Sequence, residues 1–196
     1  MKRNLVFALT LLAVIVAPLS ANDRDDDRTF RTRLTGYNET SLTINTNASG
    51  EFKATISEDG TQIRYEETWR DLSAPVTQSH IHFGRPAITG GIVLFLCTNL
   101  NNTPAGVPVA QPCPTTNPAT ITGTLTAADV IALTNGQSID SGATGFAEVL
   151  RAFKARAAYV NVHTTLHPSG EIRGQLGQHH DFDHHDNGRH EEHDHH

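Results

Sequence analysis

Three histidines on two short blocks have a spacing that could do chemistry. The first block is Ser79-His80-Ile81-His82-Phe83-Gly84, and the second is Tyr159-Val160-Asn161-Val162-His163-Thr164. Side chains on a strand alternate between its two faces. His80 and His82 therefore share a face, with Ile81 on the other. In the second block Ala158, Val160 and Val162 take the core side and leave Tyr159, Asn161 and His163 together. Two imidazoles rising from one strand stand roughly 7 Å apart at their bases, close enough to converge on one ion. Copper and zinc both accept imidazole nitrogen. The competing reading has no ion: Gly84, Asn161 and the histidines form a hydrogen-bonded polar network on an outer sheet face.

The elements that must position these residues read as β. Phe52, Ala54 and Ile56 alternate with Lys53, Thr55 and Ser57, the turn Glu58-Asp59-Gly60 follows, and Ile63, Tyr65 and Trp69 then recur on an even spacing. That is a hairpin in sequence form. Gly91 to Leu96 is a continuous apolar run, as for a strand covered on both faces. Ile121, Gly123 and Leu125 alternate with threonines, and the last strand sets Ile172 and Leu176 inward with Glu171, Arg173 and Gln175 outward. Two helical pieces interrupt the strands. One is a short N-capped turn opening at Thr126. The other is a helix from Gly145 to Ala157, with Phe146, Val149, Leu150 and Phe153 on one stripe. The expected fold is mainly β: an antiparallel β-sandwich or flattened barrel with one or two short inserted helices.

The chain begins Met-Lys-Arg and continues as an apolar stretch from Leu5 to Ala17, then Pro18-Leu19-Ser20-Ala21. This reads as a secretory signal peptide over residues 1–21, and a retained membrane anchor is the competing reading. The stretch is shorter than the roughly 20 residues a spanning helix needs. Export places the product in the periplasm, in the medium or at the cell exterior. Without Lys2 and Arg3 the chain has 13 basic and 21 acidic residues. That balance offers no basic face for nucleic acid, and none for a membrane once the signal is cleaved. Residues 22–28 form a charged leader expected to be disordered, and residues 29–177 form one domain. Cys97 and Cys113 are the only cysteines. In an exported chain an even pair reads as a disulfide, here closing a loop rich in Asn, Pro and Gly.

Residues 178–196 differ in kind from the body. His179, His180, His184, His185, His190, His193, His195 and His196 are interleaved with six acids, too polar to join a packed core. Such a tail can chelate Zn²⁺, Cu²⁺ or Ni²⁺, more tightly as its histidines deprotonate above pH ~6.5. It can equally be a solvating tail without a dedicated ligand. The sequence has no Gly-x-Ser-x-Gly elbow and no phosphate-binding glycine loop, so hydrolase and nucleotide chemistry have no support.

The histidine block at 79–84, the apolar strand after Gly90-Gly91, and Ala158 to Thr164 followed by Pro168-Ser169-Gly170-Glu171-Ile172-Arg173-Gly174-Gln175-Leu176 resemble the CHRD domain, the repeat unit first named in chordin. The resemblance spans roughly Thr29 to Leu176. It implies a secreted or cell-surface β-rich domain that binds, with an extracellular protein partner as one class of ligand, and it implies no reaction. The His-x-His strand, the Val-x-Val-His strand and the C-terminal Gly-x-x-Arg also resemble the copper-binding elements of Cu/Zn superoxide dismutase. Under that likeness His80, His82 and His163 would match copper ligands, and Arg173 the arginine that guides superoxide. The segment after His82 lacks a bridging histidine, the stretch from His163 to Arg173 is short, and the cysteines sit elsewhere. His167 is a candidate fourth ligand. Three functions follow: a binding protein that holds transition metal, a dismutase-like copper enzyme, or a structural or adhesion module without chemistry.

Overall fold

Alternating apolar positions build eight strands between Thr29 and Leu176. The computed structural model describes residues 27–177. Its strands are β1 (Thr29–Thr35), β2 (Ser49–Ile56), β3 (Ile63–Arg70), β4 (Val76–Phe83), β5 (Gly91–Thr98), β6 (Ala119–Leu125), β7 (Ala158–Thr164) and β8 (Ile172–Leu176). All are joined antiparallel in the order β5-β4-β7-β8-β1-β2-β3-β6. The β1–β8 ladder is short, with Thr35 opposite Arg173, so two four-stranded halves meet there. At the far edges the Tyr65 hydroxyl of β3 donates to the Leu96 carbonyl of β5 (2.8 Å). Gln111 Nε2 donates to the Tyr65 hydroxyl (2.7 Å) and to the Thr122 carbonyl of β6 (3.1 Å). Side chains thus close the seam of a flattened barrel, the architecture expected from the sequence.

The interior is filled from both halves: Phe30, Leu34, Phe52, Ala54, Ile63 and Trp69 face Ile81, Leu94, Leu96, Val160, Val162 and Ile172. One inward position breaks the apolar pattern. Glu67, between Tyr65 and Trp69 on β3, is fully buried and accepts from the Ser79 hydroxyl at 2.9 Å. Among the described residues its other oxygen and the Trp69 indole nitrogen have no hydrogen-bond partner. Burial pushes the Glu67 carboxyl up to about 8, against the Ser79 hydrogen bond, so it is neutral at pH 7.

The helix α1 (Gly142–Lys154) begins and ends three residues earlier than its sequence pattern suggests. Its end is set by Arg156, which is left-handed (φ 54°). Ala157 N–H bonds to Ala152 O and Arg156 N–H to Phe153 O, a Schellman close that usually falls on glycine. Without a glycine there, the boundary leaves no mark in the sequence. Phe153 packs edge-on against Phe30 at 5.5 Å, which anchors the helix to β1. The turn at Thr126 forms as a capped 3₁₀ segment over Ala127–Asp129.

Cys97 and Cys113 are bonded, with Cα atoms 5.0 Å apart. The enclosed loop is also tied down by Thr98 N–H to Gln111 O and by Cys113 N–H to Asn99 Oδ1. Arg28, assigned from the sequence to the leader, already accepts a hydrogen bond from Ile56 N–H. The expected signal segment, residues 22–26 of the leader and the histidine tail lie outside the described residues. Among the described residues no helix is long and apolar enough to cross a membrane.

Candidate metal centre

Strand alternation puts Ile81, Ala158, Val160 and Val162 in the barrel core and turns His80, His82, Tyr159, Asn161 and His163 to the opposite face. The β4–β5 register shifts at both histidines, between Ser79 and His80 and between Ile81 and His82. Bulges of this kind re-aim side chains. The β4–β7 register sets His80 opposite Asn161 and His82 opposite Tyr159. The polar positions point outward from the barrel as expected, but that outer face is covered rather than solvated. His80 is fully buried, and His82, His163 and Asn161 are each less than a tenth exposed. Loop residues 39–42, Ile44, Thr89 and 166–170 gather over this face.

One ring nitrogen from each of His80, His82 and His163 lies within 4.8 Å of the other two. His82 Nδ1 is 2.9 Å from the Gly90 carbonyl, and His163 Nδ1 is 2.9 Å from the Pro168 carbonyl. A carbonyl only accepts, so each Nδ1 carries the proton and each Nε2 keeps its lone pair. Among the described residues, His82 Nε2 and both nitrogens of His80 have no hydrogen-bond partner. Burial, reinforced by His163 and His82, pushes His80 down to about 2. Burial likewise takes His82 to about 4 against the Gly90 carbonyl, and lowers His163. All three rings are neutral at pH 7, the state a metal requires.

Asn161 sharpens the chemistry. Its amide oxygen is 3.0 Å from His163 Nε2, while its nitrogen faces the buried carboxyl of Glu39. With the ring neutral and its proton on Nδ1, both of these atoms are acceptors, and a cation beside them would relieve the contact. Burial holds Glu39 at about 7 despite Arg173 and Asn161. Gly170 is required beside this pair. Its φ is +123°, and a Cβ there would stand 2.5 Å from Glu39 Oε1 and 2.6 Å from Asn161 Nδ2. Gly90 is needed for a different reason: a Cβ would fall 1.8 Å from the Phe83 carbonyl.

Tyr159 stacks on His82, with rings 4.6 Å apart and tilted by 3°, and the Arg173 guanidinium lies 3.3 Å from the centre of the Tyr159 ring. Arg173 is 2% exposed and donates to Thr40 Oγ1 (2.7 Å), Ile88 O (2.9 Å) and Arg85 O (3.3 Å). It therefore clamps the two loops that roof the histidines. Those loops hold Ser41 (φ 71°) and Ala87 (φ 60°) left-handed, a conformation that persists only where surrounding contacts impose it. Glu171, placed outward by the same alternation as Arg173, is not exposed either. It is fully buried and accepts from Thr46 Oγ1, Ser73 N–H, Ser73 Oγ and Thr164 Oγ1.

A cleft of about 490 Å³ opens over the centre, lined by His82, His163, Asn161, Tyr159 and Glu39 among others. His167 also lines it, partly exposed at its rim and outside the converging trio. The tail histidines lie outside the described residues, and Cys97 and Cys113 are spent on each other. Sequence reasoning missed Glu39, Gly90 and Pro168. The last two act through backbone carbonyls, which no residue type reveals.

The fold and site together define an antiparallel β-barrel with a buried histidine centre under a loop roof. The model of the CHRD domain matches residues 30–176; the chain belongs to the CHRD-domain family. No curated protein and no solved structure matches it.

Proposed function

We propose that this CHRD domain binds one transition-metal ion, copper or zinc, through His80, His82 and His163, in a protein working outside the cytoplasm. The observation that carries this reading is the convergence of three neutral imidazoles. Among the described residues the facing nitrogens of His80 and His82 have no hydrogen-bond partner, and that of His163 meets only the Asn161 amide oxygen. Leaving buried polar atoms unpaired is costly, and an ion would satisfy them together. Gly90 O and Pro168 O serve as the outer acceptors that orient metal-bound histidines. The histidine-rich tail supplies weaker sites, and family membership supports an extracellular setting. The cleft beside His82 and His163 favours an open coordination position, which is also what a superoxide-dismuting copper enzyme would need. Arg173 gives that rival little support, because its donors are engaged in the roof.

The test is metal analysis of the full-length chain with its eight tail histidines replaced by Asn, after loading and exhaustive dialysis. About one ion per chain, lost on His82→Ala or His163→Ala with the fold intact, is the expected result. A washed protein that retains no metal would leave a binding or structural barrel whose metal chemistry is confined to its tail.

A further inference from the structure

The cleft over the three histidines is built for a particular kind of occupant. Its volume of about 490 Å³ sits within the range of small-molecule sites, roughly 300–1,000 Å³. Its floor holds His82 and His163, and its wall includes Ile44, Leu42 and Leu166. Leu42 is 75% exposed and Leu166 63% exposed. Ile88, another exposed large apolar residue, stands next to Thr89 of the same lining. Exposed apolar side chains gathered around one cavity, rather than scattered singly, mark a binding site.

The charge at the floor points the same way. Three imidazoles are neutral donors and leave a divalent ion with its full charge. The one carboxyl in the lining, Glu39, faces the Arg173 cation and so adds no net negative charge. An anion at an open position on such an ion would be drawn strongly at a site whose ligands are this deeply buried.

Resting on the metal reading above, we infer that the cleft binds a small monocarboxylate with an apolar tail, its carboxylate on the metal and its tail against Leu42 and Leu166. The carboxylate completes the coordination sphere. The hydrocarbon chain covers side chains that otherwise face water.

Cobalt(II) replaces copper or zinc as a spectroscopic probe in the full-length chain with its tail histidines changed to Asn. Acetate and octanoate are titrated separately while the visible cobalt bands are followed. The expected result is that both shift the bands and that octanoate saturates at a concentration at least tenfold lower. Leu42→Ser with Leu166→Ser, two exposed positions whose replacement spares the core, should erase that advantage and leave acetate binding unchanged. Bands that move for neither anion would overturn the inference and leave the metal site standing. Equal affinities for the two acids, or an octanoate advantage that survives the double substitution, would also overturn it. A chain that takes up no cobalt would overturn the metal reading and this inference together.

Discussion

Replacing Glu67 by Gln should alter how stability depends on pH, and the structure fixes the sign. Glu67 is fully buried, its single hydrogen bond comes from the Ser79 hydroxyl, and burial raises its carboxyl from 4.5 to about 8. The folded barrel therefore holds a proton that the unfolded chain gives up above pH 4.5. A group raised in this way adds stability at low pH that drains away as pH climbs towards 8, at about 1.4 kcal/mol per unit. Between pH 5 and pH 8 the loss comes to on the order of 4 kcal/mol. For a domain of this size that corresponds to roughly 8–16 °C in Tm. The Glu67→Gln side chain would keep the acceptor for Ser79 and place an amide where the unpartnered oxygen stood, a cost of about 1–3 kcal/mol that is the same at every pH. The readout is the wild-type minus variant difference in stability at pH 5, 7 and 9, in EDTA with the disulfide intact. Histidine and Glu39 titrations occur in both proteins and cancel. Trp69, the only tryptophan in the chain, lies two residues away on the same inward face, and its emission should titrate near pH 8 in the wild type alone. A stability difference that stays flat from pH 5 to pH 9 would refute the reasoning, because Glu67 would then ionise as freely in the barrel as in the unfolded chain.

Further expectations follow from the site and the staple. His80, pushed down to about 2, contributes stability that is present above pH 6.5 and lost as pH falls through that window. The metal-free wild type should therefore lose about 3 kcal/mol at pH 4 relative to His80→Leu, as read by urea unfolding at pH 4 and pH 7, and parallel losses in the two proteins would count against a neutral His80. Gly170→Ala combines a φ of +123° with a Cβ 2.5 Å from Glu39 Oε1. It should cost about 1–3 kcal/mol in urea unfolding and weaken metal retention; a change below ~0.5 kcal/mol would mean the roof yields easily. Removing both Cys97 and Cys113 opens a bridge across 16 positions and should cost on the order of 3 kcal/mol, measured as a lower midpoint in thermal unfolding.

Much of the fold was legible because strands write their two-residue period directly into the chain. The grouping of His80 and His82, and of Tyr159, Asn161 and His163, followed from that period alone, as did the core positions Ile81, Val160 and Val162. The burial of that outer face was not legible, since it depends on where the loops around Thr40, Ile88 and Pro168 come to rest. Arg173 looked like a surface charge because a guanidinium held by loop carbonyls has no signature in sequence. Glu67 escaped for a related reason: the alternation of Ile63, Tyr65 and Trp69 already marked its position as inward, but its charge argued the reverse. The burial cost shows up as a displaced proton rather than as a different fold.

The barrel seam has a consequence for how the protein is made. Strands β5 and β6 are the two ends of the sheet, and what spans them is Tyr65 together with Gln111, a residue carried by the disulfide-closed loop. Unpaired strand edges recruit other chains. A chain synthesised where Cys97 and Cys113 stay reduced would hold Gln111 less firmly and present both edges to its neighbours. Failed oxidation should therefore appear as insoluble, cross-paired material in addition to the lower stability of the monomer that stays dispersed. Oxidative capacity during production would then decide the yield of dispersed protein.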